Sequence, residues 1–237
     1  MQLIPSMDLM YNRLVRLRHG DPKQATFYDF TPEQWVEQLV QAGATRIHLV
    51  DLDAAFGGPF QKAFADFPER YPQVRFQIGG GLRNLDAIEN VLELGFDAVV
   101  GTLAVENPAA LEGFPGDRVV LALDMRNEQV VTRGWQTASG RTNEEIFDSL
   151  LSLGFNRALV TDVGRDGTLE GPGIQATALV ARAGFQVQAS GGLKAIEDLD
   201  ALARIPGIVG AISGKALMEG HIPIGDPRVQ AALKGDA

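Results

Sequence analysis

The sequence predicts an α/β protein: a single (β/α)8 barrel over residues 1–237, assembled from two similar half-barrels. Three observations carry that prediction. The first is an internal repeat. Ile78-Gly79-Gly80-Gly81-Leu82-Arg83 is echoed by Ala189-Ser190-Gly191-Gly192-Leu193-Lys194, and His48-Leu49-Val50-Asp51 by Leu159-Val160-Thr161-Asp162, both at a shift of 111 residues. Val100-Gly101-Thr102-Leu103 returns as Ser213-Gly214-Lys215-Ala216 at 113, and Pro5-Ser6-Met7-Asp8-Leu9 as Leu121-Ala122-Leu123-Asp124-Met125 at 116. The second is an alternation of short apolar runs with longer amphipathic stretches, as parallel strands joined by crossover helices require. The third is length. No Pro/Ser-rich linker parts the halves, and 237 residues is close to the roughly 250 of a typical TIM barrel.

The elements follow in order. Leu3–Met7 is the first strand, apolar up to Asp8. Met10–Phe30 is a long loop, and its Leu14-Val15-Arg16-Leu17 suits a small hairpin. Thr31-Pro32-Glu33 places an N-cap and a first-turn proline before a helix over Glu33–Ala42. Ile47–Val50 is the second strand and Phe60–Phe67 a short helix; Arg75–Ile78 is the third strand, followed by a helix over Leu85–Leu94. Ala98–Val100 and a short helix over Pro108–Glu112 complete the first half. Val119–Leu123 opens the second half. The long loop Met125–Arg141 follows, with Gln129-Val130-Val131-Thr132 as a second hairpin candidate. Thr142-Asn143-Glu144-Glu145 is a capping box for a helix over Asn143–Leu153. Strands over Ala158–Val160, Gln186–Ala189 and Gly210–Ile212 alternate with helices over Ile174–Ala183, Ile196–Ala203 and Val229–Leu233. Gly43, Gly95, Gly154 and Gly184 stand just past helical stretches, the usual place of a helix-ending glycine.

Composition narrows the function. The formal net charge is −9, which argues against a broad nucleic-acid or anionic-membrane surface. There is no cysteine, hence no disulfide, thiolate metal site or thiol catalysis. No apolar run approaches the ~20 residues of a bilayer span, and Met1 leads straight into a strand without a signal-peptide pattern. A soluble, cytoplasmic monomer is the expectation.

Asp8 and Asp124 are the sharpest pair. Each follows an apolar strand and should stand at the C-terminal mouth, where barrel enzymes keep their catalytic groups. On strands 1 and 5 they face each other. One protonated and one ionised carboxyl suit acid–base chemistry. The second constellation is two glycine-turn sets: Gly80, Gly81, Gly101 and Thr102, and Gly191, Gly192, Gly214 and Lys215. Backbone N–H groups free of Cβ atoms, aided by short helix starts, can bind a phosphate at each. A side chain at Gly81 or Gly192 is expected to collide with that phosphate. Asp166-Gly167 is a turn signal, and Asp51 and Asp162 are candidates for holding loops. Arg133 and Trp135, on the loop after Asp124, suggest stacking on a heterocycle. His19, His48 and His221 lack a ligand spacing, so no metal is expected.

These residues resemble the phosphoribosyl isomerases of histidine biosynthesis, the phosphoribosylformimino-5-aminoimidazole carboxamide ribotide isomerase family. The resemblance runs from Leu3 to about Gly220 and is carried by Asp8, Val15-Arg16-Leu17, His48-Leu49-Val50-Asp51-Leu52-Asp53, Gly79-Gly80-Gly81-Leu82-Arg83, Leu123-Asp124, Gly134-Trp135, Thr161-Asp162 and Arg165-Asp166-Gly167-Thr168. It departs in reading Pro5-Ser6-Met7-Asp8 on the first strand and Leu82 after the first glycine turn; neither change removes a chemical group. The resemblance implies a half-symmetric barrel that opens an aminoaldose and rearranges it to an aminoketose, without cofactor. Its substrate is a small bisphosphorylated ribotide. It implies Asp8 as general base, Asp124 or Asp166 as general acid, and Thr161 assisting near the ring oxygen. Arg16, Arg83, Arg133 and Trp135 become substrate-binding candidates, and the glycine turns take the two phosphates.

Arg133-Gly134-Trp135 also resembles the loop of actinobacterial-type bifunctional isomerases, which implies that Arg133 grips the carboxylate of phosphoribosylanthranilate as a second substrate. Other classes compete. A metabolite-sensing barrel would keep the glycine turns and could lose either Asp. A sister cyclase family usually carries a Lys soon after the first strand, where Arg13, Arg16 and Arg18 stand here. A Schiff-base aldolase needs a buried strand-end lysine, whereas Lys194 and Lys215 lie in glycine turns.

Overall fold

The computed structural model describes residues 1–18, 21–135 and 137–235. Eight parallel strands form the barrel: β1 (Gln2–Met10), β2 (Arg46–Asp51), β3 (Arg75–Gly79), β4 (Asp97–Val100), β5 (Val119–Arg126), β6 (Arg157–Asp162), β7 (Gln186–Ser190) and β8 (Ile208–Ser213). Each pairs with the next, and β8 returns to β1 through Gln2↔Gly210 to Pro5↔Ser213. The sheet therefore has no open edge among these eight, and the fold is a (β/α)8 barrel. All eight expected strands are present, each one to four residues longer.

Two strands run past their expected ends with consequences for the site. β1 continues beyond Asp8 to Met10 and β5 beyond Asp124 to Arg126, because each pairs antiparallel with the start of a hairpin. The first hairpin uses Arg13–Arg18 and Asp21–Phe27; the second uses Gln129–Thr132 and Thr137–Ala138. Each carboxylate thus sits two residues inside a twisted ribbon rather than at a free strand end. His19, one of the three histidines without a ligand spacing, lies outside the described residues.

The helices begin where their chemistry predicts. Thr31 and Thr142 each accept a hydrogen bond from the backbone of the third helical residue, and Gln34 and Glu145 reach back to the cap backbone. Those boxes open α1 (Pro32–Gln41) and α4 (Asn143–Ser152), with α2 (Leu85–Glu93), α3 (Thr102–Glu106), α5 (Ile174–Arg182), α6 (Glu197–Ala203), α7 (Lys215–Met218) and α8 (Pro227–Lys234) completing the principal set. Two expectations are corrected. The stretch Phe60–Phe67 is a 3-10 turn at Lys62–Phe64 followed by a short helix at Phe67–Arg70, and Pro108–Glu112 is a 3-10 turn at Pro108–Leu111. Pro68 sits in the first turn of its helix and Pro108 at the first position of its turn, where a missing N–H costs nothing.

The core has two layers. Between strands and helices lies a continuous apolar shell with Met7, Leu49, Ile78, Leu123 and Val160. Inside the barrel a smaller cluster of Ile4, Val99, Val120, Leu159 and Ile212 fills the axis. Polar side chains complete the interior. Gln77 and Gln188, repeat copies of one another, exchange two amide hydrogen bonds of 2.7 and 3.1 Å, and His48 Nδ1 lies 3.3 Å from Gln77 Nε2. Burial holds the His48 imidazole neutral, its pKa lowered to about 4.

At the opposite, N-terminal end, Asp97 is 1% exposed and takes guanidinium N–H groups from Arg75 (2.7 Å), Arg118 (3.0 Å) and Arg157 (3.1 Å). Three cations of one strongly packed cluster converge on one carboxylate. Replacing Asp97 with Ala is therefore expected to destabilise the fold by about 3–5 kcal/mol, the cost of stranding buried charge. Urea denaturation checks this: a loss below about 1 kcal/mol would mean the arginines find other partners.

Candidate active site

The mouth of the barrel carries Asp8 and Asp124 on opposite strands, β1 and β5. Strand register sets their surroundings. Asp124 is level with Thr161 on β6, and Asp8 is level with Val50 on β2. Val50 is the repeat counterpart of Thr161, so one carboxylate meets a hydroxyl where the other meets a methyl group. Asp124 accepts hydrogen bonds from Thr161 and from the indole N–H of Trp135. For Asp8 the largest influences are desolvation, the negative charge of Asp166 and, opposing them, the guanidinium of Arg16.

Both carboxyls are pushed up. Desolvation and then Asp166 raise Asp8 to about 7, with Arg16 pulling the other way. Desolvation raises Asp124 to about 6; Thr161 and Trp135 hold it down, and Asp166 adds a smaller upward push. Asp166 acts on both, so it sits within electrostatic reach of the two groups. The mouth therefore gathers three carboxylates, two of them able to gain or lose a proton near neutrality.

Beside Asp8 opens a cleft of about 710 Å³ lined by Arg16, Tyr28, Asp166, Gly167, Lys215 and Glu219. Arg16 bridges its walls, donating to the Gly167 carbonyl (2.8 Å) and pairing with Glu219 (3.1 Å). Lys215 Nζ lies 3.5 Å from the same carbonyl. Tyr28 and Glu219 have no motif that singles them out in the sequence. Their place here comes from the first hairpin folding onto α7.

Several candidates are engaged by the protein itself. Arg83 donates to the backbone carbonyls of Ala54 (3.1 Å) and Ala55. Arg133 forms a two-pronged pair with Glu106, 2.9 and 3.2 Å, while its N–H donates to Thr102 Oγ1 at 3.0 Å. The fork expected for a substrate carboxylate is thus taken by the chain's own carboxylate. Trp135, expected as a stacking platform, serves as a hydrogen-bond donor to Asp124. Asp51 is fully buried and accepts from the backbone N–H groups of Ala54 and Gln61 and from the Gln61 side chain. Asp162 accepts from Gly164 N–H at 3.0 Å. Both hold loops, as expected of them. Gln61 also ties Leu9 and Asn12 of the first hairpin, a link no local pattern announces.

The glycine turns lie after β3, β4, β7 and β8 at the same mouth. Their glycines have a nearer reason than a ligand. Gly80 and Gly192 have φ of +99° and +85°, and a Cβ on either would run into the carbonyl oxygen of Asp51 or Gly171. A Cβ on Gly81 would lie 2.5 Å from the Ala54 oxygen. Substitution at these positions meets the neighbouring loop's backbone, whatever ligand the turns bind. Among the described residues no group of three His, Cys, Asp or Glu is placed to hold a metal ion, and no helix is long and apolar enough to cross a membrane.

The family model described as histidine biosynthesis protein matches residues 2–223. The chain belongs to this family. Its relatives include three proteins named 1-(5-phosphoribosyl)-5-((5-phosphoribosylamino)methylideneamino)imidazole-4-carboxamide isomerase. That of Thermomicrobium roseum is 43% identical over 94% of both chains. That of Herpetosiphon aurantiacus is 42% identical over 94% of this chain and 95% of its own. That of Symbiobacterium thermophilum is 37% identical over 95% of both. The family match spans both halves of the barrel and every mouth residue described above.

Two outcomes test this geometry. Carbon-detected titration of the aspartate side chains should give midpoints near 7 for Asp8 and near 6 for Asp124. Thr161→Val removes a donor to the ionised form and should move Asp124 upward; an unmoved or lowered midpoint would break the assignment. Gly192→Val should lower Tm through the Gly171 contact, read by thermal denaturation without ligand.

Proposed function

We propose that this chain catalyses the isomerisation its relatives are named for. It would convert the aminoaldose of a small ribotide, phosphorylated at both ends, into the aminoketose by an Amadori rearrangement. Asp8 is the general base and Asp124 the general acid. The observation that carries the reading is the pair itself: two carboxyls on opposite strands of one mouth, both raised toward neutrality.

The chemistry needs two proton transfers and a final tautomerisation. Protonating the ring oxygen breaks its bond to C1 and leaves a protonated imine; removing the C2 proton gives a neutral enolamine, which becomes the aminoketose as its C2 hydroxyl loses a proton and C1 gains one. Asp124 supplies the first proton and Asp8 accepts the C2 proton. Thr161, bonded to Asp124, orients the acid and stands near the ring oxygen it serves. Asp166 acts as a negative charge that keeps both carboxyls basic. It is not the acid.

The working form has Asp8 ionised and Asp124 protonated, and with both carboxyls raised toward neutrality it is accessible there. Substrate that displaces the Trp135 or Thr161 hydrogen bond removes what holds Asp124 down, raising it and moving the population toward the working form. The two turn sets, Gly80, Gly81, Gly101 and Thr102 with Gly191, Gly192, Gly214 and Lys215, take the phosphates, and the span between them is crossed by the two aspartates. Arg16 and Lys215 supply charge at one end. With its fork on Glu106, Arg133 offers no grip for anthranilate in this arrangement, and the proposal stays with the single isomerisation.

Purified protein assayed with the ribotide named for its relatives should turn it over, and Asp8→Asn should lower kcat about 10²–10⁴-fold. Near-normal turnover in that variant would remove Asp8 from the base role. The pH dependence of kcat/KM should be bell-shaped. Activity falls below about pH 6 as both carboxyls become protonated and the base is lost. It falls above about pH 7 as both ionise and the acid is lost. Asp166→Asn withdraws a negative charge and should move both limbs to lower pH. Loss of the alkaline limb in that variant would instead make Asp166 the acid.

A further inference from the structure

The end of the barrel opposite the mouth breaks the repeat in one telling place. Arg46 on β2 and Arg157 on β6 are repeat copies, each at the first residue of its strand. Arg157 pairs with Asp97, two strands back on β4. The same relation applied to Arg46 leads two strands back around the closed barrel to β8. There the 113-residue offset of that strand puts Gly210 at the place of Asp97. Arg46 therefore lacks the carboxylate that its copy has.

The space where that carboxylate would stand is a cavity of about 210 Å³, lined by Arg46, Arg157, Gln2, Gln188, Val209 and Gly210 among others. Arg46 Nε and Arg157 Nη2 are buried and have no hydrogen-bond partner. Arg46, Arg75, Arg118 and Arg157 crowd one region, against the buried carboxylate of Asp97, which already accepts from three of them, and the charge of Asp117, which acts on Arg157. Burial, Arg157 and Arg75 lower the Arg46 pKa to about 10, and Asp97 opposes them only in part. A buried guanidinium N–H without an acceptor is costly, and the two arginines that carry such groups line one cavity, whose positive wall suits an anion.

We propose that this cavity is a binding site for a small free oxyanion, of the size and charge of inorganic phosphate or sulfate, held by Arg46 and Arg157 in the place of the missing second carboxylate. The amides of Gln2 and Gln188 line the same space and can add donors. The site lies at the far end of the barrel from the aspartates, so it is separate from the phosphate sites proposed at the mouth. It does not depend on the assigned reaction.

The probe is inorganic sulfate at constant ionic strength. Sulfate can also compete for the phosphate sites proposed at the mouth, so the reading is the difference between the natural protein and Arg46→Gln, which alters only the far end and should leave kcat/KM unchanged. Sulfate at ten times its dissociation constant should raise Tm of the natural protein roughly 3–6 °C more than that of the variant. A crystal grown in selenate should show an anomalous peak within hydrogen-bonding distance of the Arg46 and Arg157 guanidinium groups, absent from the variant. Equal sulfate shifts in both proteins, selenate at the mouth alone, or ordered water alone in the cavity would overturn the proposal.

Discussion

Closing a sheet of eight parallel strands fixes which residues stand level across each seam, and the mouth inherits its chemistry from two of those seams. The β5–β6 ladder sets Asp124 beside Thr161; the β1–β2 ladder sets Asp8 beside Val50. The residues come from a repeated pattern, so the backbone offers the two carboxylates the same position. The side chain one seam away makes them different. A hydroxyl favours the charged form of one, while a methyl group gives the other no such relief. Around this pair the hairpins fold inward, bringing Trp135 to one carboxylate and Arg16 toward the other.

Much of this was legible in the sequence, and the limits of legibility are physical. A repeat of apolar runs announces strands because each barrel strand must be buried on both sides, so all eight were visible. Their extensions were not. Met10 and Arg126 belong to strands only because hairpins pair with them, a non-local event. Asp8, Asp124 and Asp166 were visible as candidates because strand ends and glycine turns have signatures. Their partners were hidden. Glu106 lies 27 residues before Arg133 and Glu219 lies 203 after Arg16, and no periodicity links such pairs. The same limit hid the reason for the glycines. A turn pattern reveals that a Cβ is excluded, but not whether a ligand or the next loop's carbonyl excludes it.

The raised carboxyls set a cost for the site. A group whose pKa is higher in the folded protein than in the unfolded chain keeps its proton longer when folded. The native state then binds more protons than the unfolded state between about pH 4 and 7, and stability declines as pH rises through that window. Asp8 and Asp124 both contribute in this sense. The closed barrel, with its continuous shell of core side chains and the arginine cluster on Asp97, is the source of stability that offsets it.

The reciprocal amide pair of Gln77 and Gln188 has a meaning beyond filling the interior. A residue touches its own copy only where a two-fold axis passes between them, so this contact marks the pseudo-axis of the barrel. It has the form of an isologous subunit contact, in which one patch is complementary to itself. The two halves are thus joined the way identical protomers are, and a change of side-chain length at one glutamine is felt at once by the other. In its geometry the chain is like a pseudo-symmetric dimer whose interface has become the inside of a single barrel.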